Sequence, residues 1–255
     1  MRPAVFRLAT AYGESLRVGD SVMMDLSLDM AELAGRLLAT PGGPGRVLQF
    51  VAAEAGEGVS TVAREFARFV APHAQRGVWL VELDVLKAEQ YDVISAHPDH
   101  YGPLGAPTRA SPNESCFFSV DPKIQGVDGR PWPDCRYLDA YPVGEARWWI
   151  TRFRREALKP GQSVSILNAP AYWNSLRAHA DFVVIDAPAL ERSQVAPAIA
   201  PLVDANVLVV SAERTDMEGP LALKAALTAA GGRCAGMVFN RAPKAPPRFL
   251  SRLLP

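Results

Sequence analysis

The chain has 255 residues, enough for one large domain with a substantial buried core. Lysines plus arginines equal aspartates plus glutamates at 27 each, so no global field draws it toward nucleic acid or an anionic membrane, and no stretch approaches the roughly 20 apolar residues that span a bilayer. Cys116, Cys135 and Cys234 are widely separated, which argues against a disulfide framework or a structural zinc site and fits a reducing compartment.

Taken from the N-terminus, residues 1–44 read as an extension with a helix over Ser21 to Leu38, ended by the breakers Pro41-Gly-Gly-Pro44. The main domain, 45–241, opens with Arg46-Val-Leu-Gln-Phe-Val-Ala52, a short apolar run of the kind that forms a strand buried on both faces. A glycine-containing turn and a helix from Ser60 to Ala71 follow. Further buried strands are expected at Val78 to Leu83, Phe182 to Ile185, Val207 to Ser211 and Gly236 to Phe239, with helices at Gln194 to Val203 and Pro220 to Ala230. Strands separated by helices imply an α/β fold: a doubly wound, mainly parallel sheet with right-handed crossovers.

The interval from about 97 to 133 fits neither period, is rich in proline, glycine, serine and asparagine, and reads as an inserted, solvated loop. Its His97, His100, Cys116 and Asp121 match no metal-ligand spacing. Tyr137 to Val143 is expected to form a strand and Ala146 to Leu158 a helix, with Trp148, Trp149 and Phe153 packed inward and Arg147, Arg152, Arg154 and Arg155 facing water. The chain closes with a proline-containing basic tail, 242–255. Its Arg248, Arg252, Phe249, Leu250, Leu253 and Leu254 make a basic-apolar segment too short to anchor alone.

The informative segment is Ala53-Glu-Ala-Gly-Glu-Gly-Val-Ser-Thr61. A phosphate-binding loop needs small residues whose successive backbone N–H groups converge on an anion at a helix N-terminus, and Gly56 and Gly58 meet that need. In the pattern GxxxxGK[ST] the lysine reaches the β- and γ-phosphates and the hydroxyl ligates magnesium. Here Ser60 supplies the hydroxyl, and Val59 stands where the lysine would be. An ammonium about 4 Å from a phosphate oxygen, at an effective dielectric of about 20, contributes about 4 kcal/mol, roughly a thousandfold in affinity or rate. ATP or ADP with magnesium is therefore expected to bind weakly or not at all. Arg64, one helical turn past Ser60, is expected to point away, and Lys87 is a candidate replacement cation. Two acidic sites stand where such a fold wants them. Glu82 and Asp84 follow the second strand, on one face by their spacing, and Asp186 ends Phe182-Val-Val-Ile185 at the carboxyl edge of a parallel sheet. With Ser60 they are the candidate magnesium ligands, and Asp84 and Asp186 are the candidate catalytic carboxylates.

These residues resemble the cytoplasmic P-loop domain of bacterial tyrosine kinases and polysaccharide co-polymerases, within the wider group of MinD and ParA ATPases. Gly56-Glu57-Gly58-Val59-Ser60-Thr61 is similar to that family's PGEGKST loop, Leu80-Val-Glu-Leu-Asp84 to its hhhDxD motif, Val183-Val-Ile-Asp-Ala-Pro188 to its Walker B segment, and Val238-Phe-Asn-Arg241 to its VLNR segment. The resemblance implies nucleotide contacts from Gly56 through Thr61 and from Asn240 and Arg241, with Asn240 on the adenine. The family's ExxRxxR ring-assembly pattern is missing around Ser27 to Leu33, Glu82 replaces an aspartate, and no tyrosine follows Tyr172. The implied function is a soluble, cytoplasmic regulator of exopolysaccharide synthesis and export, for a capsule, slime or holdfast-type polymer. It would be a pseudokinase at the inner face of the cell membrane, whose membrane contact runs through a Wzz-like chain-length determinant, with self-association open and no nucleic acid expected. The alternatives are an active tyrosine kinase or ATPase using a compensating cation, and a MinD- or ParA-like positioning ATPase. The last is disfavoured by Glu54 in place of that group's early loop lysine.

Overall fold

The computed structural model describes residues 4–10, 16–18, 21–23, 26–38, 45–126, 129–213 and 216–243. The breaker at Pro41 to Pro44 and the tail from 244 onward lie outside the described residues. In chain order the elements are β1 (Ala4–Thr10), β2 (Leu16–Val18), β3 (Ser21–Met23), α1 (Ser27–Leu38), β4 (Arg46–Val51), α2 (Val59–Val70), β5 (Val78–Glu82), α3 (Glu89–Ala96) and α4 (Pro98–Tyr101). There follow β6 (Thr108–Arg109), β7 (Phe118–Asp121), β8 (Leu138–Pro142), β9 (Trp148–Phe153), β10 (Ser163–Ile166), α5 (Pro170–His179), β11 (Phe182–Asp186), α6 (Val195–Ile199), β12 (Ala205–Ser211), α7 (Glu218–Ala229) and β13 (Cys234–Pro243).

One sheet of nine strands, in the order β1-β13-β12-β4-β11-β5-β9-β8-β6, runs through the molecule. From β1 to β9 neighbouring strands are parallel, β8 runs antiparallel to β9, and β6, antiparallel to β8, returns to the common direction. This is the mainly parallel α/β fold expected from the alternation of apolar runs and helices. Within β4 the side chains divide between faces, with Val47 and Val51 in one core cluster and Leu48 and Phe50 in the other, as the two-residue period of a strand requires. Helices α1 and α2 cover the second face. Met30, Leu33, Ala34 and Leu37 of α1 recur at helical spacing and are buried.

Four expectations are corrected. Ser21–Met23 pairs with Leu16–Val18 as a small antiparallel ribbon, and the helix begins only at Ser27. Residues 1–44 are not a purely helical extension, because Ala4–Thr10 adds a parallel strand beside β13 at the edge of the main sheet. The segment Ala146 to Leu158 is a strand followed by one 3-10 turn. Its residues Trp148 to Phe153 are aromatic or β-branched apart from Arg152, a composition that favours a half-buried pleated surface over a helix. Gly144, at φ +57°, closes the turn that brings β8 against β9. Trp148 and Phe153 do pack inward, while Arg152 lies over the ring of Tyr91 and pairs with Glu156.

The interval from 97 to 133 is not a solvated loop. Phe117, Phe118 and Val120 are completely buried, Phe117 stacks on Trp173 at 5.5 Å, Phe118 meets Phe153 edge-on at 5.1 Å, and β7 pairs with β10. Its polar residues are used locally: His97 Nδ1 lies 2.9 Å from the Val93 carbonyl, His100 pairs with Glu65, and the Cys116 thiol donates to the Phe118 carbonyl. Among the described residues no group of three or more His, Cys, Asp or Glu side chains is placed to hold a metal ion. No helix among them is long and apolar enough to cross a membrane.

Candidate nucleotide site

The carboxyl ends of β4, β5 and β11 meet at the loop between β4 and α2. Gly56 and Gly58 adopt φ of +83° and +91°, a region that side-chain-bearing residues avoid. At Gly58 a Cβ would also overlap the Asn240 carboxamide. Glu57 turns inward. One of its carboxylate oxygens accepts the Glu54 N–H at 3.1 Å and the other the Ser211 N–H at 3.1 Å, fastening the loop to the end of β12. Burial pushes its pKa up, against those backbone hydrogen bonds. Asn240 donates to the Glu57 carbonyl at 3.0 Å and accepts the Arg241 N–H at 2.9 Å, fastening the loop to β13. Two residues expected at the nucleotide thus hold the loop's shape from behind.

Parallel register sets Asp186 beside Glu82 on β5 and beside Phe50 on β4. Both carboxyl groups are buried. Burial, and then the charge of Asp186, push Glu82 up to about 8, although it accepts the backbone N–H groups of Glu89 at 3.1 Å and Gln90 at 3.4 Å and so caps α3. Burial likewise pushes Asp186 up to about 6, offset by hydrogen bonds from Gln90 and Ser60. Gln90 donates to Asp186 Oδ2 at 2.6 Å and to the Ser60 carbonyl at 3.0 Å, and its own carbonyl accepts from Arg64 at 2.9 Å. Arg64 also donates to the Tyr101 hydroxyl at 2.9 Å. As expected, it is directed away from the loop, but it ends one residue short of Asp186. Nothing in the sequence marks Gln90, a polar residue in the first turn of a helix, for this position.

Ser60, Glu82 and Asp186 come together, and Asp84 does not join them. The strand ends at Glu82, so the two-residue spacing no longer keeps Glu82 and Asp84 on one face. Asp84 turns outward, where Arg192 approaches at 3.1 Å and Lys87 at 3.7 Å.

The loop walls a cavity of about 270 Å³ that also touches Lys87, Glu89, Ala187 to Ala189, Arg192 and Arg241. This lies below the range of about 300–1,000 Å³ usual for small-molecule sites. Val59 lines the cavity and packs into the core beneath α2. The three cations on the rim each face a carboxylate: Lys87 faces Asp84 and Glu89 at 3.7 Å, Arg192 faces Asp84, and Arg241 faces Glu213 at 3.6 Å. The N–H of Ala55, in the loop itself, donates to the Glu191 carboxylate at 2.6 Å. The donor chemistry of Ser60 and Asp186 fits a magnesium ion, which would also relieve the repulsion between Asp186 and Glu82. The phosphate cradle fits only in part, since it has backbone donors at a helix N-terminus but no lysine, and one donor already carries a carboxylate.

The structure aligns with the kinase domain of the Escherichia coli tyrosine kinase ETK over 96% of this chain and 92% of that one, at a TM-score of 0.61 and 12% identity. The fold is that of a bacterial tyrosine kinase domain. The chimerical protein CapA2B2 aligns over 95% of each chain with a TM-score of 0.60 and 17% identity, and the VpsO kinase domain over 84% of this chain and 95% of that one with 0.53 and 17%. In sequence, 84 residues are 33% identical to CapB of Staphylococcus aureus, which carries the name of a tyrosine-protein kinase. That match spans 33% of this chain and 37% of CapB. No protein-family model matches the chain.

Proposed function

We propose that this chain is a regulator of exopolysaccharide synthesis and export built on the tyrosine kinase fold. It is a pseudokinase that binds ATP or ADP with magnesium weakly or not at all, and it works from the cytoplasmic side on a membrane chain-length determinant. The fold shared with ETK and VpsO, and the resemblance of the loop and of Val183 to Pro188 to the polysaccharide co-polymerase family, support the setting. The observation that carries the reading is the loop: Val59 replaces its lysine, and the Glu191 carboxylate holds the Ala55 N–H where an anion would otherwise accept. A phosphate entering there must displace one negative charge without a lysine in the loop itself to receive it.

Isothermal titration with ATP and ADP, with and without magnesium, tests the reading. The wild type is expected to give no binding at millimolar nucleotide. Val59→Lys combined with Glu191→Gln is expected to gain binding, by roughly a thousandfold if the missing ammonium is the main deficit. A second reading, an active ATPase or tyrosine kinase, is favoured by one arrangement: Lys87, Arg192 and Arg241 already rim the cavity. Measurable, magnesium-dependent ATP turnover by the wild type, abolished in Asp186→Ala and in Arg192→Ala, would establish it and overturn the pseudokinase.

A further inference from the structure

A second cavity lies at the outer edge of the sheet, where β6, β8 and β9 meet the segment from Trp132 to Arg136. Its volume is about 860 Å³, against about 270 Å³ at the loop, and the two share no lining residue. This is within the range of about 300–1,000 Å³ in which small-molecule sites fall. Four arginines line it, Arg109, Arg136, Arg152 and Arg154. Three are matched by carboxylates: Arg109 by Glu114 at 3.0 Å, Arg152 by Glu156 at 2.8 Å, and Arg154 by Asp139 at 3.7 Å. Arg136 has no carboxylate partner among the described residues, so the lining carries one uncompensated positive charge.

Trp132 also lines the cavity. The indole is held in place by stacking on Tyr137, with centroids 5.8 Å apart and planes 28° apart, and Tyr141 adds a further ring to the wall. A planar guanidinium matches the paired oxygens of a carboxylate or phosphate, and an indole face matches a ring.

We propose that this cavity binds a small organic oxyanion, a carboxylate or phosphate monoester carried on a ring, with Arg136 receiving the oxyanion and the Trp132 indole receiving the ring. The site stands on geometry independent of the loop and does not rest on the pseudokinase assignment. Phenyl phosphate, benzoate and inorganic phosphate, titrated into the full chain by calorimetry and tryptophan emission, test it. Saturable binding of phenyl phosphate or benzoate is expected, and whichever binds tells phosphate from carboxylate. Inorganic phosphate is expected to bind at least about tenfold more weakly for want of a ring, and Arg136→Gln to cost about tenfold. Trp132→Phe is expected to remove the emission change. Failure of both ring-bearing probes to saturate at millimolar concentration would overturn the site, as would undiminished binding by Arg136→Gln. Equal affinity for inorganic phosphate and phenyl phosphate would overturn the role given to the ring. Because Arg136 is exposed, its variant reports on binding even if Trp132→Phe disturbs the fold.

Discussion

Glu82 and Asp186 lie side by side at the carboxyl ends of β5 and β11, both buried and both acidic, whereas Asp139 and Arg152 face each other across β8 and β9 at the outer edge, half-buried and of opposite charge. In the first pair desolvation raises both carboxyls, the charge of Asp186 raises Glu82 further, and both hold their protons well above the ordinary range. In the second, burial still raises Asp139, but the guanidiniums of Arg154 and Arg152 pull it back. The same chemistry therefore yields a hydrogen-bonded cap in one place and an ionic lining in the other. What separates them is water, and the packing that excludes it.

That contrast requires the outer region to be part of the domain, which makes its core the place where breaking it has the largest effect. Phe118→Ala removes a completely buried ring that touches Phe117 and Phe153, and is expected to cost about 3–5 kcal/mol in urea denaturation. A loss within about 0.5 kcal/mol, the scale of a surface substitution, would mean that the insertion is only laid over the sheet. The buried pair comes next. The folded-state pKa of Glu82 lies above its ordinary value, so the folded protein keeps a proton that the unfolded chain releases. Stability is full below about 4.5 and declines as the pH rises through about 8. Glu82→Gln is expected to flatten that decline, gaining on the order of 2–4 kcal/mol over the wild type at the alkaline end of the window. Thermal unfolding across this pH window measures it, and parallel curves for the two proteins would show that Glu82 is charged throughout. The smallest effect belongs to the exposed edge. Arg109→Ala breaks an ion pair whose side chains are 81% and 65% exposed, and should change stability by less than about 0.5 kcal/mol. A larger loss would mean that this edge is less solvated than its exposure indicates.

The parallel strands and the loop were legible because they depend on local pattern. Val78 to Glu82, Phe182 to Asp186 and Ala205 to Ser211 are apolar runs with punctuated ends, and Gly56 and Gly58 are needed for a turn that only glycine enters easily. Trp148 to Phe153 is not legible as a strand from sequence because its aromatic and basic residues admit a helical face as well. The choice was made by β5 on one side and β8 on the other, which offered it backbone partners. The turn at Pro142 to Gly144, between two aromatic runs, was the signal available for a hairpin.

Sequence by itself determined the α/β class, the positions of the central strands along the chain, the valine that follows Gly58 in the glycine loop and the placement of Asp186 at a strand end, since each follows from residue type and spacing along one segment. Only the tertiary structure decided that Glu57 and Asn240 brace the loop, that Gln90 and Glu191 bring an amide and a carboxylate into the candidate site, that Asp84 turns to Arg192, and that residues around Phe118 form a core rather than a loop. These depend on which distant groups are brought within hydrogen-bonding or packing distance and shielded from water, and no local period along the chain encodes that.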